Sequence, residues 1–162
     1  MSNTNHEIEH RELCQQRDKE FLALYHPTLD ALLAQGLEES KARRAAVEFT
    51  IANGHPHYHV DHERAYRCVC HLLQAEDKRG AGSRTYRNIL HEEDGTPFVK
   101  SRLRRQMWYE ITEHVKTLLK RGMSVERAID HVLEHCRASR FFITPATALT
   151  KICPLSRSRA LR

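Results

Sequence analysis

The sequence has no run of about 18 apolar residues, so no segment is suited to crossing a bilayer as a helix and no membrane partner is expected. Its five cysteines (Cys14, Cys68, Cys70, Cys136 and Cys153) are odd in number, dispersed, and set mostly in apolar stretches. A disulfide framework is therefore not the organising principle. The first ten residues are polar and lack the basic-then-apolar grading of a secretory leader, which makes the cytoplasm the expected compartment.

Signatures of catalysis are missing as well. There is no G-x-S-x-G elbow, and Gly80-Ala81-Gly82 has neither the preceding strand nor the following lysine of a phosphate-binding loop. His131-Val132-Leu133-Glu134-His135 fits the H-x-x-E-H string of one zinc-peptidase group, but no Asp or Glu follows Glu134 to supply the usual acidic third ligand. A non-enzymatic protein without a cofactor is the expectation.

What is present is charge, unevenly placed. Residues 1–77 carry 8 Lys and Arg against 13 Asp and Glu, a net of −5, whereas residues 78–162 carry 18 against 8, a net of +10. The basic half points to a polyanion, an acidic partner, or an outer face in water.

Apolar spacing indicates helices, and one pattern occurs twice. Leu22, Tyr25, Leu29, Leu32 and Leu33 match Trp108, Ile111, Val115, Leu118 and Leu119 at one offset, with the three-and-four spacing of a helix face. At the same offset Gly36 falls on Gly122, each where a residue free to take positive φ ends a helix. A second helix follows in each copy, with Ala42, Ala45, Ala46 and Phe49 as one stripe and Val125, Ala128, Ile129 and Val132 as the other. Then come an extended link, with Tyr58 and Val60 matching Phe141 and Ile143, an N-cap at Asp61 or Thr144, and a third helix. Pro145 suits the first position of that last helix, whereas Pro27 is expected to kink or restart the first one.

The expected fold is all-α, with two pseudo-repeated three-helix units packed into one core. Residues 1–77 form the first repeat with its polar N-terminus, 78–105 a basic linker that either holds a short helix near residues 84–91 or serves as a mobile functional loop, 106–155 the second repeat, and 156–162 a disordered basic tail.

Candidate binding residues fall in two groups. Arg84, Tyr86, Arg87, Lys100, Arg102, Arg104 and Arg105 interleave bases with an aromatic, and with Lys116, Lys120 and Arg121 they suit a phosphate-tracking surface. Arg140 and Lys151 extend that set into the last link and helix. The second group is His55-Pro56-His57-Tyr58-His59, where an extended chain sets three imidazoles on one face as candidate metal ligands, with Tyr58 and Val60 inward. No paired C-x₂-C or H-x₃-H set accompanies them, and histidines facing water explain the run equally well.

The string Ala138-Ser139-Arg140-Phe141-Phe142-Ile143-Thr144-Pro145-Ala146-Thr147-Ala148-Leu149 resembles a segment of small uncharacterised helical proteins from bacterial genomes and their mobile elements. The resemblance implies no activity. The expected function is a nucleic-acid-binding or regulatory protein, the alternative being a structural or protein-interaction module in which the acidic half of one copy meets the basic half of another.

Overall fold

Helix ends are dictated locally, and α1 and α4 end alike. In a computed structural model describing residues 2–79 and 101–154, every regular element among the described residues is helical. These are α1 (Ser2–Ala34), α2 (Glu39–Asn53), α3 (His62–Arg79), α4 (Arg102–Lys120), α5 (Val125–His135) and α6 (Pro145–Thr147), the last continuing as a π-helical turn over Ala148–Ile152. The expected short helix near 84–91 and the tail 156–162 lie outside the described residues.

Four helices start on side-chain caps. The Asp61 carboxylate accepts from the Arg64 amide at 2.8 Å, and Ser101, Ser124 and Thr144 hydroxyls accept from the amides three residues on. Pro145 occupies the first turn of α6, where its missing N–H costs nothing. Gly36 and Gly122 end α1 and α4 at φ 90° and 88°. Around them the same two bonds recur: Gly36 and Leu37 donate to Leu33 and Leu32, and Gly122 and Met123 donate to Leu119 and Leu118. A Cβ at either glycine would meet open space, so the backbone angle alone selects the residue type.

Pro27 lies inside α1, which runs on through it rather than restarting. Next to it, the Thr28 hydroxyl donates to the Leu24 carbonyl at 2.8 Å.

The chain divides in space at other places than the sequence repeat. One compact unit joins α1 and α2 to the segment after Cys136, which contains α6; the other joins α3 to α4 and α5. Each pair of helices thus takes as its third partner a helix that the expected repeat assigned to the other pair.

In the first unit Phe21, Tyr25, Leu29, Ala42, Ala46, Val47 and Ile51 pack with Phe141, Ile143, Ala148 and Ile152. Phe21 meets Phe141 edge-on at 5.1 Å, and each such ring or branched chain removed from water contributes about 1.5–3 kcal/mol. The link over 54–59 runs beside 137–141. Ala138 N–H donates to Pro56 O at 2.7 Å and Phe141 N–H to Ile51 O at 3.1 Å. In the second unit the fully buried side chains include Val69, Leu72, Met107, Trp108, Ile111, Val115, Ile129 and Val132.

The buried face of α2 differs from the expected stripe. Phe49 is 47% exposed, and the inward positions are Ala42, Arg43, Ala46, Val47, Thr50 and Ile51. At about 100° per residue that face is centred on Arg43 and Thr50, two polar residues. Both are satisfied: Arg43 donates to the Cys153 carbonyl, and Thr50 Oγ1 donates to Ala46 O at 2.7 Å.

Candidate functional site

Two groups of side chains have the chemistry of a site. The first is the basic set of α4. Arg84, Arg87 and Lys100 lie outside the described residues, while Arg102, Arg104 and Arg105 occupy the first turn of α4 and Lys116, Lys120 and Arg121 its end. Arg102 and Lys120 are separated by about 27 Å at 1.5 Å per residue.

Helical rotation places Arg102, Arg105, Tyr109, Lys116 and Lys120 within an arc of about 60°, away from the face that buries Trp108, Ile111 and Val115. Glu113 borders this stripe and forms an ion pair with Lys116 at 2.9 Å. Arg104 points elsewhere. It lies on the core side, close enough to Cys68 to oppose the effect of burial, which pushes that thiol up to about 11. The first turn of α4 contains no acid. A cation at the positive end of a helix dipole costs about 0.3–1 kcal/mol when exposed, as Arg102 is.

Arg140 and Lys151 belong to the other compact unit. The Arg140 Nε donates to the Phe141 carbonyl at 3.1 Å, and Lys151 is exposed in the last turn of the π-helical segment.

The second group was only partly foreseeable. His57 and His59 converge on one carboxylate, that of Glu20 in the middle of α1. His57 Nδ1 lies 2.6 Å from Glu20 Oε1, His59 Nε2 lies 2.7 Å from Oε2, and the His57 amide donates to Oε2 at 3.1 Å. Tyr58, between them, is buried. His59 alone among the described non-glycine residues has positive φ, 51°, and this left-handed turn accompanies a side chain only 7% exposed.

Arg137 completes the surroundings, with Nη1 3.3 Å from His57 Nδ1 and 3.6 Å from Glu20 Oε1. One ring nitrogen cannot both donate to Glu20 and accept from Arg137. The shorter contact decides, so His57 Nδ1–H donates to the carboxylate and Arg137 acts on Glu20 through charge.

Burial raises the Glu20 carboxyl, but hydrogen bonds from His57 and His59 outweigh it and leave the pKa below the usual carboxylate value. Burial holds His59 below the ordinary imidazole value, against the opposing pull of Glu20.

His55 does not join this cluster: its Nδ1 lies 3.1 Å from the Ala138 carbonyl. Of the three candidate histidines, the structure brings His57 and His59 together on Glu20, while His55 is turned to the 137–141 segment. Glu20 carried no sequence signal, being one acid among many on a charged helix. On α5, His131 and His135 are exposed with ring centroids 4.8 Å apart, consistent with a polar outer face.

Among the described residues no helix is long and apolar enough to cross a membrane. Compared with known protein families, curated proteins and solved structures, the chain matches none.

Proposed function

We propose that this protein is a non-enzymatic nucleic-acid-binding or regulatory protein that meets phosphate along α4. The observation that carries the reading is the placement of bases on that helix. Exposed Arg102 stands at its positive end, where a cation opposes the dipole and an anion would offset that cost. Exposed Lys120 and Arg121 stand at the far end. A single phosphate cannot reach both ends of a span of about 27 Å, whereas a nucleic-acid backbone can. Tyr109 lies on the same stripe, an aromatic among basic side chains.

The test is a titration of labelled random duplex and single-stranded DNA and RNA at about 50 and 200 mM salt. Arg102→Gln, Lys120→Gln and Arg121→Gln are combined in one variant, which leaves Arg104 and the core untouched. Binding should weaken steeply with salt, and the variant should show a log–log salt slope smaller by about one for each phosphate contact removed. Absence of binding at the lower salt sinks the reading.

A second reading, a protein-interaction or self-associating module, draws on Leu33, Leu37 and Phe49, large apolar side chains left exposed on and beside the α1–α2 pair. It predicts a molecular mass that rises with protein concentration in the absence of nucleic acid.

A further inference from the structure

We propose that Glu20, His57 and His59 form a binding site for a divalent transition-metal ion of the zinc class. One ligand atom from each residue can be chosen so that all lie within 4.8 Å of one another, and the donors are two imidazole nitrogens and a carboxylate. That mixture suits zinc and its neighbours, whereas calcium and magnesium favour oxygen alone.

The scaffold fixes the donors from two directions. Glu20 precedes Phe21, which is fully buried and packs on Phe141, so the carboxylate stands on a held stretch of helix. The two imidazoles sit either side of buried Tyr58, and the unusual backbone at His59 coincides with its Nε2 meeting the carboxylate. Left-handed backbone outside glycine is uncommon and gathers at functional sites.

Ligands around tetrahedral zinc are about 3.3 Å apart, so the present contacts of 2.6 and 2.7 Å must open by about 0.7 Å as the metal replaces the bridging protons. His57 and Glu20 are partly exposed and free to make that adjustment. Three protein ligands leave a fourth position for water. Arg137 stands beside Glu20 and His57 as a competing cation, more than half exposed and able to swing into solvent. A bound ion would fasten α1 to the link over 54–59 and stabilise the unit that contains them.

The test uses full-length protein prepared without a histidine tag and treated with chelator, titrated with Co²⁺ for its visible absorption and then with Zn²⁺ in competition. One Co²⁺ per chain with a low-coordinate spectrum, displaced by Zn²⁺, is expected. His57→Asn and Glu20→Gln should each weaken binding at least about tenfold, Arg137→Ala should strengthen it, and His55→Asn should leave it unchanged. Should Glu20→Gln fail to fold, the partly exposed His57→Asn decides alone. Failure of the unaltered protein to bind either ion below millimolar concentration overturns the proposal. So does binding that survives His57→Asn but is lost on His131→Asn with His135→Asn, since the ion would then sit on α5.

Discussion

Arg43 reaches from α2 to the backbone carbonyl of Cys153, 110 residues later in the chain. It is 8% exposed and lies at the centre of a buried helix face, with its guanidinium at the C-terminal end of the π-helical turn, where a cation complements the dipole. Arg43→Met should cost about 2 kcal/mol, because it leaves a buried carbonyl without its charged donor. Phe49→Ala, the change an apolar stripe would mark as severe, should alter stability by less than about 0.5 kcal/mol. Urea denaturation of the two variants measures the contrast.

Gly54 and Gly36 are needed for different reasons. A Cβ on Gly54 would fall 2.3 Å from Phe141 Cε2 and 2.8 Å from the Thr50 carbonyl oxygen, so Gly54→Ala should force apart the two segments and cost about 1–3 kcal/mol. Gly36→Ala meets no atom but must adopt φ 90°, and should cost about 1 kcal/mol. A large-to-small change at Phe141 should relieve Gly54→Ala and leave Gly36→Ala unaffected, which a double-mutant cycle on thermal melting would reveal.

Thiol labelling should separate the cysteines by burial. Burial pushes Cys68 and Cys153 up to about 11, with nearby arginines opposing it in both cases. At about pH 8 roughly one in a thousand of either is thiolate, and both are shielded besides. Iodoacetamide followed by peptide mass spectrometry should find the half-buried Cys14 and Cys70 modified well before either. Early modification of Cys153 would contradict the packing of α6 and its π-helical extension on α1 and α2.

The Glu20 cluster makes chelator-treated protein sensitive to acid. Burial depresses His59 below its ordinary 6.5, so between that value and its lower folded value the unfolded chain binds more protons, and stability falls as pH drops. Glu20, lowered from its ordinary 4.5 by the two imidazoles despite burial, adds a second loss of the same sign at lower pH. The urea midpoint should be flat near pH 7 and decline in two stages below it. His59→Asn should abolish the upper stage, and a midpoint rising on acidification would show that the imidazole is stabilised in its charged form instead.

Much of the local structure was legible in the sequence. Gly36 and Gly122, the caps at Asp61 and Thr144, Pro145, and the inward Tyr58, Val60, Phe141 and Ile143 all occupy their expected places, because helix ends and alternating burial depend on residues a few positions apart. Hydropathy misplaced the inner face of α2, since Arg43 and Thr50 lie at its centre and only their hydrogen bonds, one to a residue far along the chain, make that burial tolerable.

The sequence by itself determined an all-helical chain and its start and stop signals, and it marked His55, His57 and His59 as neighbours in an extended link without saying which of them would converge. Tertiary structure alone decided that α1 and α2 are completed by the segment holding α6 and that α4 and α5 are completed by α3, and that Glu20 meets His57 and His59 across 37 and 39 residues. Apolar periodicity says that a face must be covered but not by which partner. That choice is made by shape and by hydrogen bonds between distant segments, which leave no period in the sequence.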